Sequence, residues 1–216
     1  MAARCCLPCV GLLAVLATAP AMLVAEEVGQ YSRDAIDVLL TTAPTLSTMA
    51  RASMIDEATT IWRRQGVDIK WLPATADRPV ASNRLRVLIV QKRLSLNRVA
   101  EPVPIGELVQ PVTGHPFALI SIEGAQQLMS SVRGRAGYAL ISRDERRLGM
   151  VLGRALAHEI GHYLLGTHTH ARNGLMRPNF NALEFADLRS GTFELDHDAA
   201  TWLRSRSGKQ FAYSRP

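Results

Sequence analysis

Residues 144–178 read DERRLGMVLGRALAHEIGHYLLGTHTHARNGLMRP, and the reading of this stretch decides the rest. From Leu148 to Leu165 the only formally charged residues are Arg154 and Glu159. The remainder is Leu, Val, Met, Ala, Gly, Ile and Tyr, plus His158 and His162. A segment apolar nearly all round, opened near Asp144 and stopped by Gly166, predicts a long buried helix. On it, His158 and His162 are four positions apart and share one face. Two imidazoles and a carboxylate in a buried helix are costly unless each has a partner. One metal ion and its water satisfy all three. Both imidazoles reach a single ion, and zinc accepts neutral nitrogen ligands in tetrahedral geometry. Glu159, on the flank of that face, reaches the water without being a ligand and takes its proton. The plainer alternative is a buried His–Glu hydrogen-bonded pair with no metal.

A catalytic zinc normally takes three protein ligands and leaves one position for water. His168 and His170 follow Gly166, and a glycine lets the chain turn back after a helix. Asn173-Gly174-Leu175-Met176-Arg177-Pro178 has the composition of a tight turn. Glu184 is a further candidate, since a third zinc ligand can be a glutamate on a later helix.

The run from His158 to Pro178 resembles the metzincin zinc metallopeptidases, whose pattern is H-E-x-x-H-x-x-G-x-x-H followed by a methionine turn. It looks closer still to a group of short secreted bacterial proteins of this type. The resemblance covers about residues 150–180. One departure bears on the ligands. Leu165 stands where the family has glycine, and Gly166 comes one residue later. The helix is therefore expected to run one residue longer. His168 keeps the family's offset from His158, while His170 lies further beyond the shifted glycine and is favoured as the third ligand. The resemblance implies one catalytic zinc held by His158, His162 and His170, with Glu159 as general base. It places Met176 beneath the metal as a packing floor. It also implies an edge strand above the metal that pairs with an extended substrate, for which Phe117 to Ile122 is the candidate.

Outward from this stretch the periodicities are ordinary. Ala35 to Thr42 reads as a strand, and Thr45 or Ser47 caps a helix running to Gln65. Val67, Ile69 and Trp71 alternate as a strand, and Leu85 to Val90 is a more buried one. Residues 99–116 read as a Pro-containing loop. Phe117 to Ile122 and Tyr138 to Ile141 are two more strand candidates. A helical turn is expected near Asn181 to Leu188. Asp196 caps a last helix, with Ala199, Trp202 and Leu203 facing inward. All three tryptophans fall on apolar faces and are expected in the core, and His115 and His197 are expected at the surface. The fold class expected is α+β. By the resemblance it is a metzincin-like zincin: a twisted mixed sheet of about five strands, a backing helix, a long active-site helix and a small C-terminal subdomain ending in a helix.

The chain has 216 residues, 47% of them hydrophobic, with 25 basic residues against 19 acidic ones. That suits one domain with its own core and rules out disorder as the main theme. Residues 1–25 read as a signal peptide: Arg4, then an apolar run, then small residues before Glu26 and Glu27, with cleavage after Ala21 or Ala25. An uncleaved membrane anchor is the alternative. Residues 26–216 then form a single metallopeptidase-like domain, with an N-terminal part over 26–166 and a C-terminal part over 167–216. The three cysteines, Cys5, Cys6 and Cys9, lie inside the leader, so the mature chain has neither disulfide nor thiolate chemistry. Secretion or export to a bacterial periplasm follows. Most of the basic residues are arginines, but they are scattered and lack interleaved aromatics, which argues against nucleic acid. With a single long apolar run, the chain is not polytopic. No stable membrane insertion is expected once the leader is removed, and the oligomeric state cannot be read. The expected activity is zinc-dependent endopeptidase hydrolysis of a peptide or protein substrate, with Glu159 activating the zinc-bound water. The alternative is a zinc-stabilised peptide-binding module without turnover.

Overall fold

A computed structural model describes residues 34–74, 83–92, 104–136, 144–187 and 193–206. All of them belong to one unit, Ser32–Pro216. The leader and the strand expected at Tyr138 to Ile141 lie outside the described residues.

Five strands form one mixed sheet: β1 (Asp34–Thr42), β2 (Val67–Pro73), β3 (Arg84–Val90), β4 (Gly106–Val109) and β5 (Phe117–Ser121). Their order is β2-β1-β3-β5-β4. β1 runs parallel to β2 and β3, β3 runs parallel to β5, and β4 alone is antiparallel. The five helices are α1 (Thr48–Arg64), α2 (Ile122–Ala136), α3 (Glu145–Leu165), α4 (Ala182–Ala186) and α5 (His197–Arg206). The chain combines a mainly parallel five-stranded sheet with helices, a mixed α and β architecture.

Two expectations need correction. The loop expected over 99–116 contains a strand, β4. It is only four residues long and is bracketed by Pro104 and Pro111, so its periodicity is too brief to read. The edge strand expected at Phe117 to Ile122 is an interior strand. β5 lies between β3 and β4, so among the described residues β4 is the edge on that side.

Alternate residues of the strands face the helices: Ile36, Val38 and Leu40 on β1, Leu85, Val87 and Ile89 on β3, Ala118 and Ile120 on β5. α1 presents Met54, Ala58, Ile61 and Trp62 to this layer. Ser47 caps it, its hydroxyl accepting from the Ala50 N–H at 3.1 Å.

From Leu148 to Leu164 every residue of α3 except His158 is buried, as its composition requires. Small residues at every fourth position, Gly149, Gly153, Ala157 and Gly161, let α3 lie close to its neighbours. A Cβ on Gly149 would strike the Ala50 carbonyl oxygen, and one on Gly153 would lie 2.7 Å from the Met54 carbonyl oxygen. Trp62 Nε1 donates to the Ala157 carbonyl at 3.1 Å. The buried Arg154 is satisfied on three sides. It donates to Glu57 at 2.7 Å and to the carbonyls of Phe185 and Glu184 at 2.8 and 3.3 Å. Its guanidinium also lies over the Phe193 ring, 4.4 Å from the centroid. One side chain thus ties α1, α3 and α4 together.

Leu175, Met176, Phe185, Phe193, Leu195 and Leu203 join the same core. The chain after α3 therefore packs onto the N-terminal layers and adds to their core. Trp202 departs from expectation: it is 37% exposed, and Leu203 takes the inward position on α5. Among the described residues no helix is long and apolar enough to cross a membrane.

Candidate metal centre

The site is built from the C-terminal half of α3, the turn after it and the edge strand β4. Asp144 caps the start of α3, accepting from the N–H groups of Arg146 and Arg147. Leu165 is the last helical residue. Gly166 ends the helix in the left-handed conformation, φ 64° and ψ 28°, which an L side chain resists. The helix thus runs through Leu165 and stops at Gly166, as expected from the position of the glycine.

His158 and His162 stand one helical turn apart with their Nε2 atoms 3.0 Å from each other. Each ring is fixed by its other nitrogen: Nδ1 of His158 lies 2.7 Å from the Leu175 carbonyl oxygen, and Nδ1 of His162 lies 2.8 Å from that of Thr167. A carbonyl oxygen only accepts, so both Nδ1 atoms carry the proton. In the neutral rings both Nε2 atoms then hold lone pairs, and neither can donate to the other. Two acceptors facing each other in a largely buried site call for a shared electrophile. Burial also holds both imidazoles neutral, with pKa values lowered to about 4.

His170 closes the cluster. Its ring lies 5.3 Å from that of His158 and is nearly parallel to it, and it meets His162 edge-on at 4.9 Å. One nitrogen from each of His158, His162 and His170 falls within 4.8 Å of the others, so the three could hold one metal ion. Neutral imidazole nitrogens are donors that zinc accepts, so the chemistry of this donor set suits that ion. The pKa of His170 is lowered by partial burial and by the nearby His168.

His168 is exposed, its ring 5.9 Å from that of His162, and it lies outside the cluster. Glu184 is committed elsewhere, accepting from Arg177 at 2.7 Å. Met176 is buried against Gly161, whose missing side chain leaves room for the thioether, with the Trp62 ring close by. His115 and His197 are exposed, as expected.

Glu159 is 5% exposed. Burial raises its pKa to about 8, the Leu108 backbone N–H opposes this by donating to the carboxylate, and nearby Glu107 adds to the rise. β4 meets it at Gly106, where a Cβ would lie 2.7 Å from Oε1 and 2.9 Å from Cγ of Glu159. Neither Gly106 nor Leu108 is legible from the sequence. Gly106 sits in a segment read as loop, and its one signal is a glycine beside a short alternating run.

No protein-family model matches the chain. No curated protein matches it either. Among solved structures it is similar to archaemetzincin from Methanopyrus kandleri, with 15% identity and a TM-score of 0.48 over 82% of this chain and 97% of that one.

Three buried or half-buried groups of the site, His158, His162 and Glu159, set opposite pH trends in the metal-free protein, and His170, also lowered, acts with the histidines. Unfolded histidine takes a proton below about 6.5, whereas folded His158 and His162 refuse it until about 4. Stability therefore falls as pH drops through that window. Glu159 keeps its proton up to about 8 when folded but loses it near 4.5 when unfolded, so its contribution is lost as pH rises between those values. The two histidines outweigh the one glutamate below pH 6.5, and the glutamate acts alone above it. Thermal unfolding in chelator is expected to show the highest Tm near pH 6.5. The Glu159→Gln variant should lack the decline above that pH. The same decline in both proteins would contradict the assignment.

Proposed function

We propose that this chain is a zinc-dependent endopeptidase, exported by its N-terminal leader to the periplasm or beyond the cell, acting on peptide or protein substrates. The observation that carries the reading is the convergence of His158, His162 and His170 beside a buried carboxylate that none of the three binds. A scaffold site needs the three histidines but has no use for a buried glutamate, which is costly to keep.

His158, His162 and His170 hold the ion through their ring nitrogens, with the carbonyls of Leu175 and Thr167 fixing the first two rings. A bound zinc ion supplies a Lewis acid and lowers the pKa of the attacking water. Glu159 takes the proton from that water and delivers it to the departing amine nitrogen. Burial raises its pKa to about 8 in the metal-free chain, and a cation held beside it would favour the ionised form that accepts the proton. β4, the outermost strand on its side of the sheet among the described residues and next to α3, is where an extended substrate strand would be added.

The test is hydrolysis of an unfolded protein by the purified, zinc-loaded chain, with products identified by mass spectrometry. Internal cleavage that stops on chelation and returns with zinc is the expected result. Peptide binding without cleavage over long incubation would establish the binding-module alternative instead.

A further inference from the structure

We propose that strand β4 is part of the catalytic apparatus, with Gly106 as a positioning residue that seats the Glu159 carboxylate against the sheet. The proposal rests on Glu159 being the general base. A glycine weakens a strand and needs a reason there. Backbone conformation supplies none: among the described glycines positive φ occurs at Gly66, Gly114, Gly166 and Gly174, and Gly106 is not one of them. Any residue could adopt its backbone angles.

The reason is space. A Cβ at position 106 would lie 2.7 Å from Oε1 and 2.9 Å from Cγ of Glu159, and 3.0 Å from Cδ1 of Ile120. Something must move, and the strand is the harder part to shift. β4 is paired with β5 along its length, from Gly106 opposite Ile120 to Val109 opposite Phe117. Just before it, the Ile105 carbonyl accepts from the Ser121 N–H at 2.8 Å. The Glu159 side chain is the softer partner. It is also held by the Leu108 N–H, two residues along the same strand. Gly106 gives the carboxylate its seat and Leu108 aims it. A side chain at 106 lifts the acid off the strand and away from its hydrogen bond, while the histidines on the neighbouring face of α3 keep their places.

Gly106→Ala is therefore expected to bind zinc as the wild type does and to lose about 10- to 100-fold in kcat, since small misplacements of a reacting group are costly. KM should be nearly unchanged. The control is the double variant. In a Glu159→Ala background the carboxylate is gone, so adding Gly106→Ala should cause no further loss of rate. The double variant should also unfold at a higher temperature than Gly106→Ala alone. A purely structural glycine would instead lower Tm equally in both backgrounds, and that result, or full kcat in Gly106→Ala, overturns the proposal. Should Gly106→Ala fail to fold, folding of the double variant supports the contact and its failure to fold overturns it. If Glu159→Ala alone leaves hydrolysis intact, it is the reading of Glu159 as base that fails. The stability cycle still tests the Gly106–Glu159 contact by itself.

Discussion

Glu159→Gln is expected to retain a full complement of zinc and to lose about a thousandfold in kcat, within the range that a positioned general acid–base supplies. The substitution is nearly isosteric. The amide oxygen can still accept from the Leu108 N–H, and the side chain still fits beside Gly106, so position is kept. What is lost is the ability to take a proton. The three histidines lie apart from this group, and their rings are fixed by Leu175 and Thr167, so metal binding has no reason to weaken. Comparing zinc per chain with single-turnover hydrolysis separates the two effects. A variant that holds zinc and hydrolyses at the wild-type rate removes Glu159 from the mechanism. A variant that loses both shows that the carboxylate supports the site's structure.

What the sequence makes legible follows from how local each feature is. α3 was legible because its start, burial and stop all lie within one short stretch: Asp144, the apolar run, and Gly166 in the left-handed conformation. The histidine pair was legible for the same reason. The single-residue shift of the glycine was enough to lengthen the helix to Leu165 and to bring His170 within reach. β4 was not legible, because four residues between prolines carry no periodicity and its pairing partner is distant in the chain. α2 is a different case. Ile122, Ala125, Met129 and Val132 are buried at helical spacing, so the signal was present. It was obscured because no turn separates β5 from α2. Ser121 is the last strand residue and also takes a capping role, its hydroxyl accepting from the Gly124 N–H at 2.9 Å. The internal Gly124 and the Ser130-Ser131 pair weaken the pattern further. Bulk and apolarity point Trp202 inward, but on this short helix Leu203 takes the buried position, with Ala199 and Ala200 beside the core, and Trp202 is left at the surface. At the site, contacts within α3 and its following turn were readable. The seat of Glu159 on β4 was not, because it joins distant parts of the sequence.

The other large effect expected is on metal retention. His170→Ala should weaken zinc binding by at least about 100-fold, more than the loss of a supporting hydrogen bond costs, while His168→Ala should leave it intact. The two histidines are two residues apart on one turn, yet the turn sends them in different directions. Thr169 N–H donates to Thr167 Oγ1 at 3.0 Å, and the Ala171 N–H donates to the Met176 carbonyl at 2.9 Å. These bonds fix the turn on both sides of His170 and return its ring over that of His158; both histidines are exposed, but the His168 ring stays 5.9 Å from that of His162 and outside the three-histidine cluster. The measurement is zinc per chain after dialysis against a chelator of graded strength, with Tm recorded beside it. A metal that binds only the folded chain raises Tm, so the His170 variant should lose both the ion and the Tm gain. Loss in the His168 variant alone would mean that His168 is the third ligand and that His170 is a solvated bystander. Retention in both would mean that two histidines suffice, or that a carboxylate completes the set. The third-ligand assignment would then be wrong even if the hydrolysis is real.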